Sequence, residues 1–199
     1  MLQILLHTRK VSKKNLGDIM SELSKALEDC GALQFGDFTL ASGAKSNYYI
    51  DIKKASTNPQ VLYLISQVMA EKMQDENLRP NRIAGVVLGS VPLAAALSMA
   101  VGIPYVMVRK EKKDHGTSKL IEGDLNIGDK VLVIEDVITT AGSSVKAIET
   151  LRESGADIIG VLSVIDREGG GRENLKSIGV ELWALVKGSE VLKDRGHEA

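Results

Sequence analysis

The second half of the chain alternates between short apolar runs and amphipathic segments. The runs are four to eight residues long and mainly hydrophobic, which is typical of strands buried on both faces of a parallel sheet. They are Ile83 to Leu88, Ile103 to Val108, Val131 to Ile134, Ile158 to Ile165 and Val180 to Val186. Helical patterns lie between them. The alternation predicts an α/β fold with a central parallel sheet flanked by helices.

The first half predicts a helix followed by short strands. From Leu16 to Cys30, apolar residues recur on one helical face, and Gly31 suits the position just after the helix. A turn at Gly36-Asp37 separates two short predicted strands, and Tyr48 to Asp51 forms a third. We expect these elements, mainly residues 16–51, to form a small hood beside the sheet.

A second helix is predicted to begin at Pro59, with Asn58 as its cap, and to stop at Pro80-Asn81. Four loops follow predicted sheet strands, namely residues 89–91, 109–123, 136–143 and 166–172. The carboxyl ends of parallel strands meet at one edge of a sheet, so these loops should gather there, where ligands bind in open α/β sheets. We expect the whole chain, 1–199, to be one domain with its core at about residues 58–187.

Composition narrows the classes of function. The 199 residues carry 25 Lys and Arg against 26 Asp and Glu, a net charge of −1, which argues against a nucleic-acid-binding surface. No apolar run approaches the roughly 20 residues that span a bilayer, so no membrane association is expected. The single cysteine, Cys30, excludes an internal disulfide and fits the reducing cytoplasm. These features predict a cytoplasmic protein.

The segment Val131 to Ser143 carries the most specific chemistry. An apolar run leads into the carboxylates Glu135 and Asp136, and a loop of small and hydroxylated residues, 139–143, then opens onto a helix. Unpaired N–H groups and the helix dipole favour a phosphate at such a helix start. Carboxylates repel phosphate but accept hydrogen bonds from a cis-diol. Together these groups indicate a ribose 5-phosphate site, although an acid in this position can also cap a helix.

Two further segments follow predicted strands and carry charge. The loop Arg109 to Gly116 contains four basic side chains and one histidine, and Arg167 precedes the glycine run 169–171. A guanidinium at the end of a strand can clamp a carboxylate in bidentate fashion. Each segment also has a plainer interpretation, as a solvated loop and as a surface arginine beside flexible glycines.

Three segments of the chain resemble a known family, and they occur in the same order as in that family. Residues 131–143 are similar to the 5-phosphoribosyl-1-diphosphate (PRPP) signature of type I phosphoribosyltransferases. The loop 109–116 and, more weakly, Phe38 to Gly43 with Asp166 to Glu168 resemble the members that use orotate. The resemblance implies the type I phosphoribosyltransferase fold. It also implies an enzyme of pyrimidine biosynthesis that transfers the phosphoribosyl group from PRPP to N1 of orotate, giving orotidine 5′-monophosphate and diphosphate.

The resemblance further implies roles for individual residues. Lys113 and His115 would be catalytic, and Thr139 and Arg167 would contact orotate. The PRPP-binding residues would be Arg109, Lys110, Lys113, His115, Glu135, Asp136, Val137, Ile138, Thr139, Thr140, Ala141, Gly142 and Ser143. Mg²⁺ would be held mainly through PRPP, with no metal ligand from the protein. A homodimer is implied, in which the loop 109–116 reaches the neighbouring subunit's site.

The chain departs from this pattern at two positions. Many orotate enzymes carry lysine where this chain has Ala41, and some carry lysine where it has Gly89. Lys45, four residues after Ala41, could supply a replacement charge, but an ordinary surface lysine is the favoured interpretation. Two alternative functions stay open at the level of sequence. A purine phosphoribosyltransferase would share residues 131–143, but a purine brings no carboxylate for Arg167. A non-catalytic regulator that senses PRPP would need a DNA-binding domain or a basic face, and the balanced charge argues against the latter.

Overall fold

The first described elements form a helix and a two-stranded antiparallel sheet in the computed structural model, which describes residues 16–39, 45–109 and 119–193. They are α1 (Leu16–Asp29), β1 (Leu33–Thr39) and β2 (Lys45–Ile50). The predicted turn at Gly36-Asp37 is wrong, because β1 continues through it. The register with β2 instead shifts between Phe35 and Phe38, so the glycine is accommodated as an irregularity within one strand.

The remaining elements alternate as the sequence predicts. They are α2 (Ile52–Ser56), α3 (Pro59–Asp75), β3 (Arg82–Val86), α4 (Val91–Val101), β4 (Tyr105–Val108), β5 (Ile121–Glu122), β6 (Lys130–Ile138), α5 (Gly142–Glu153), β7 (Asp157–Asp166), α6 (Gly171–Ser177), β8 (Leu182–Lys187) and α7 (Gly188–Lys193). The sequence pattern did not indicate α2, β5, α6 or α7, because each is too short to show a hydrophobic period.

Helix α3 begins as predicted and ends earlier than predicted. The Asn58 side chain accepts hydrogen bonds from the backbone N–H groups of Gln60 and Val61, which fixes the start. The predicted stop at Pro80-Asn81 is wrong, since the helix ends at Asp75. Asn77 takes a positive φ of 53°, and the chain then turns the buried Leu78 back towards the core.

The main sheet has six strands in the order β5-β4-β3-β6-β7-β8. Neighbouring strands in this sheet are parallel except at one edge, where the two-residue β5 runs antiparallel to β4. Side chains alternate between two apolar clusters, so that Ile83 and Leu132 lie on one face while Ala84 and Val133 lie on the other. The expected parallel sheet covered on both faces is therefore confirmed. Within the described residues, no helix is long and apolar enough to cross a membrane.

The two central strands differ in length, and this difference opens a crevice. β3 pairs with β6 only as far as Gly85 opposite Ile134, whereas β6 continues beside β7 until Ile138 lies opposite Asp166. The prediction that the motif strand stops at Ile134 is therefore wrong. Because the chain leaves β3 in one direction and β6 in the other, this crevice lies at the topological switch point, where open α/β sheets bind ligands.

Candidate functional site

A cavity of about 220 Å³ lies in this crevice, beyond the end of β3. Its lining combines the turn after β3, the acidic end of β6, the start of α5 and one residue of α2. The lining residues are Lys53, Val86, Val87, Leu88, Gly89, Ser90, Glu135, Asp136 and Ser143. The Val87–Leu88 peptide bond within this turn is cis. The structure thus brings the predicted acidic pair and the predicted helix start to one cavity.

Glu135 is the buried member of the acidic pair, with 4% of its surface exposed. Its two carboxylate oxygens accept hydrogen bonds from the hydroxyls of Ser90 and Ser144, each at 2.7 Å. Ser90 precedes α4 and Ser144 lies in the first turn of α5, so one carboxylate holds three segments around the cavity. Sequence reasoning did not single out either serine. The only available signal was a hydroxyl residue near each predicted helix start.

Asp136 is the half-buried member and lies against Gly89. The backbone N–H of Val137 donates to its Oδ1 atom at 2.9 Å, and its own N–H donates to the Ser90 hydroxyl at 3.2 Å. A Cβ atom added to Gly89 would contact Oδ2 of Asp136 and would lie 2.9 Å from Cγ. The absent side chain at position 89 therefore makes room for the Asp136 carboxylate at the cavity wall.

The start of α5 presents backbone donors to the same edge. Ala141 is the residue before the helix, in a left-handed conformation with φ of 61°, and its methyl side chain cannot accept a hydrogen bond. The N–H groups of the first turn therefore stay available to an anion, which the positive end of the helix dipole also attracts. Thr139 and Thr140 are exposed just before this turn, while Ile138 is buried and anchors the loop to the core.

The glycine run that follows β7 packs onto this loop. A Cβ atom on Gly169 would lie 2.7 Å from Cγ2 of Thr139, and one on Gly171 would lie 2.8 Å from the Thr139 carbonyl oxygen. Such close approach of two backbones requires glycine. The plainer interpretation of residues 169–171 as a surface run does not hold at Gly171, which is buried and begins α6, whereas Gly169 is exposed.

Arg167 directly follows β7 and lies beside the start of the loop 139–143. Its backbone N–H donates to the carbonyl oxygen of Ile138 at 2.8 Å, and its guanidinium carbon lies 5.4 Å from the ring centre of Tyr48 in β2. The neighbouring acids hold this segment, because Asp166 binds Arg172 and the Glu168 carboxylate accepts from both the N–H and the hydroxyl of Ser189. The hood therefore contacts the main sheet at the predicted substrate-binding arginine.

Of the predicted residues in the loop 109–116, the structure describes Arg109. It directly follows β4, and its N–H donates to the Leu120 carbonyl oxygen at 2.8 Å. The Nε atom of Arg109 lies 3.2 Å from a carboxylate oxygen of Glu122, so the side chain forms an ion pair rather than lining the 220 Å³ cavity. Lys110, Lys113 and His115 lie outside the described residues, as does Ala41. Lys45 is described, and its ammonium donates to the Thr39 hydroxyl.

A larger cavity, of about 330 Å³, lies elsewhere, between β5 and the last turn of α5. Its lining residues are Lys119, Leu120, Ile121, Gly123, Leu125, Thr150, Glu153 and Ser154. The carboxyl end of α5 contributes carbonyl groups there, which disfavour an anion. We therefore assign the functional site to the smaller cavity, where first-turn N–H groups and strand-end carboxylates meet.

Comparison with known proteins agrees with this geometry. Residues 52–181 match the family model described as "Phosphoribosyl transferase domain". The chain is 48% identical to the orotate phosphoribosyltransferase of Pyrococcus horikoshii, over 88% of this chain and 94% of that one. It is 49% identical to the enzyme of the same name from Methanocaldococcus jannaschii, over 87% and 97%. The crystal structure of orotate phosphoribosyltransferase from Aeropyrum pernix superposes with a TM-score of 0.79 at 34% identity, covering 89% and 99%. The chain therefore belongs to the phosphoribosyltransferase family, among its orotate phosphoribosyltransferases.

Proposed function

We propose that this protein transfers the 5-phosphoribosyl group from PRPP to N1 of orotate, giving orotidine 5′-monophosphate and diphosphate in pyrimidine biosynthesis. The observation that carries the proposal is the cavity at the switch point, where Asp136 meets the start of α5. A phosphorylated ribose fits both groups, since its phosphate matches the helix start and its hydroxyls match the carboxylate. Arg167, at the next strand end, supplies a partner for the orotate carboxylate.

The reaction forms a bond from C1 of the ribose to N1 of orotate and breaks the bond from C1 to the diphosphate oxygen. Positive charge grows on the ribose while negative charge grows on the diphosphate, as in other glycosyl transfers. Residues 139–143 bind the 5-phosphate, and Glu135 and Asp136 face the ribose hydroxyls. Lys113 and His115 stabilise the departing diphosphate in this proposal, and their loop contributes Arg109 and Lys110 to PRPP binding.

Magnesium fits this site as a partner of PRPP. No group of three His, Cys, Asp or Glu residues close enough to hold a metal ion occurs in the described part of the chain. Asp136, with its half-buried carboxylate in the cavity, is the side chain placed to meet a PRPP-bound ion through water. When bound, Mg²⁺ would neutralise charge on the diphosphate and the ribose hydroxyls.

We also propose that the enzyme acts in the cytoplasm as a homodimer, with the loop 109–116 of each subunit reaching the neighbouring site. The resemblance of the loop 109–116 supports the shared site, and the lone Cys30 is compatible with a reducing compartment. The hood and the sheet would act as one unit, because Tyr48 contacts Arg167 across them.

The decisive experiment follows the loss of orotate absorbance in the presence of PRPP and Mg²⁺. Adenine, hypoxanthine and uracil serve as competing bases under the same conditions. Turnover of orotate alone supports the assignment, whereas equal turnover of a purine or no turnover of orotate would refute it. Binding of PRPP without any turnover would instead favour a PRPP-sensing regulator.

A further inference from the structure

The cavity that would bind PRPP has an unusual charge balance. Two of its lining residues, Glu135 and Asp136, are carboxylates, and the ligand itself carries a negatively charged diphosphate. Lys53 is the one cationic residue among those described that line this cavity. An anion held beside two carboxylates needs a nearby positive charge, because repulsion between like charges in a partly enclosed site costs affinity.

The short helix α2 fixes the position of Lys53. Asp51 precedes the helix, and its Oδ1 atom accepts a hydrogen bond from the Lys53 backbone N–H at 3.1 Å. Ile52 and Ala55 are 1% and 0% exposed, so the opposite face of α2 is anchored in the core. The backbone that carries Lys53 is therefore held firmly, although α2 has only five residues.

The Lys53 side chain is exposed, and no described residue pairs with its ammonium group. Among the residues that the structure describes, the ion pairs involve other cations, namely Lys25, Lys72, Arg82, Arg109 and Arg172. An ammonium group has three donors and a compact charge that suits phosphate oxygens. Lys53 thus has the position and the unused donors that a diphosphate would engage.

The next residue, Lys54, is a matched comparison. It lies on the same helix and is also exposed, but it does not line the cavity. Its Nζ atom lies 3.7 Å from the position that a Cβ atom would take on Gly31, at the end of α1. The two lysines therefore share the same helix and the same charge and differ in which one faces the cavity.

We propose that Lys53 is a PRPP-binding residue that contacts the diphosphate group. This inference deepens the proposed function and rests on it. Both the turn at residues 87–90 and Ser143 at the start of α5 line the cavity with Lys53. The helix start is assigned to the 5-phosphate in the proposed function, which leaves the turn and Lys53 for the diphosphate.

The test compares Lys53→Ala, Lys53→Gln, Lys53→Arg and Lys54→Ala by calorimetric titration. Each variant is titrated with PRPP, inorganic diphosphate and ribose 5-phosphate, all with Mg²⁺. Loss of one charge-assisted contact should weaken PRPP and diphosphate binding of Lys53→Ala and Lys53→Gln by about 10- to 100-fold. Ribose 5-phosphate binding should stay within about twofold, Lys53→Arg should retain most affinity, and Lys54→Ala should resemble the wild type.

Two outcomes would overturn the inference. One is unchanged diphosphate affinity in a folded Lys53→Gln protein, and the other is an equal loss in Lys54→Ala, which would indicate a general surface-charge effect. The proposed function fails separately, if the wild type binds PRPP and diphosphate but does not consume orotate. In that case the binding titrations still decide the role of Lys53. Steady-state assays add a further check, since the KM for PRPP should rise while the KM for orotate stays constant.

Discussion

At the scale of single residues, the two neighbouring carboxylates of β6 have different environments. Glu135 is buried and bonded to two serine hydroxyls, whereas Asp136 is half-buried beside Gly89. The two carboxylates therefore differ in place: Glu135 holds the segments around the cavity together, whereas the Asp136 carboxylate lies at the cavity wall. Glu135 can still accept a ribose hydroxyl, because each carboxylate oxygen accepts more than one hydrogen bond.

This difference predicts two separable variants. Asp136→Asn should weaken PRPP binding by at least about tenfold with little change in stability, because the carboxylate is partly solvated. Glu135→Gln should also lose about 1–3 kcal/mol of stability, since an amide nitrogen cannot accept from a serine hydroxyl. Calorimetric titration and urea unfolding measure the two effects. Equal stability losses in the two variants would contradict the division of roles.

Gly89 gives a second prediction at this scale. In Gly89→Ala the new methyl group must displace the Asp136 carboxylate, which is a short movement of a side-chain end. We expect a loss of PRPP affinity of about tenfold with the melting temperature nearly unchanged. The double variant Gly89→Ala with Asp136→Asn should bind no worse than Asp136→Asn alone, because both act on one group. Additive losses would show that Gly89 acts through something else.

At the scale of elements, the hood and the main sheet meet where Tyr48 lies beneath Arg167. Tyr48 is 8% exposed, and a Cβ atom on Gly188 would lie 2.6 Å from its hydroxyl, so the ring has little room to move. A fixed ring face beside a guanidinium restricts the orientation of that guanidinium. The contact makes β2 a positioning element for the proposed orotate clamp.

Tyr48→Leu should therefore raise the KM for orotate by about threefold to tenfold, with a smaller change in the KM for PRPP. Tyr48→Phe keeps the ring and should retain near-normal values, which separates the cation–π contact from the hydroxyl. Steady-state kinetics with each substrate varied in turn provides the measurement. A matching rise in both KM values, or a comparable defect in Tyr48→Phe, would argue against a positioning role.

At the scale of the whole molecule, a charge cluster joins the amino ends of the two central strands. The Asp129 carboxylate accepts from the N–H of Asn126 at 2.9 Å and from Arg82 at 3.0 Å. The backbone hydrogen bond from Asn126 and the Arg82 guanidinium hold the pKa of Asp129 below its ordinary value of 3.8, against the opposing effect of burial. The cluster lies at the sheet edge opposite the cavity, so it supports the fold rather than the chemistry.

Because the pKa of Asp129 is lowered in the folded protein, its contribution to stability changes with pH in a definite direction. The stabilisation from Asp129 is fully present above the unfolded-state value near 3.8 and is lost as the pH falls through the lower folded value. Asp129→Asn should therefore cost about 1–3 kcal/mol at pH 7, and the difference from wild type should shrink below about pH 3.8. Urea unfolding across this range tests it, with the exposed Asp124→Asn as control. A difference that grows towards acid pH would contradict the prediction.

The proposed dimer gives the last prediction. Lys113→Ala should lower kcat by roughly 10²- to 10³-fold, the scale for losing one group that stabilises charge in the transition state. If the loop 109–116 crosses between subunits, mixing Lys113→Ala subunits with Asp136→Asn subunits restores one complete site per heterodimer. Activity well above both parents is then expected after subunit exchange. Exchange confirmed by mass without any recovery of activity would place the loop at its own subunit's site.

The sequence by itself determined the order of the main elements and the chemistry of the motif. Apolar runs separated by helical patterns are typical of buried parallel strands, so the sheet was predictable. The cap was predictable too, because Asn58 directly precedes a proline that can begin a helix. Glu135, Asp136 and the loop 139–143 are neighbours in the chain, so they lie close together in any fold. The local sequence pattern gave wrong predictions at two places, the turn expected within β1 and the end expected for α3.

Only the tertiary structure decided which residues meet across the fold. The length of β6 depends on its pairing with β7, and the crevice depends on β3 ending sooner, which are properties of three strands together. Ser90 and Tyr48 are far along the chain from Glu135 and Arg167, and Lys53 is far from the other residues that line the cavity. Nothing near these residues in the chain indicates that they meet. A hydrophobic period reports how a segment faces its own core, whereas a binding site is made where several segments end side by side.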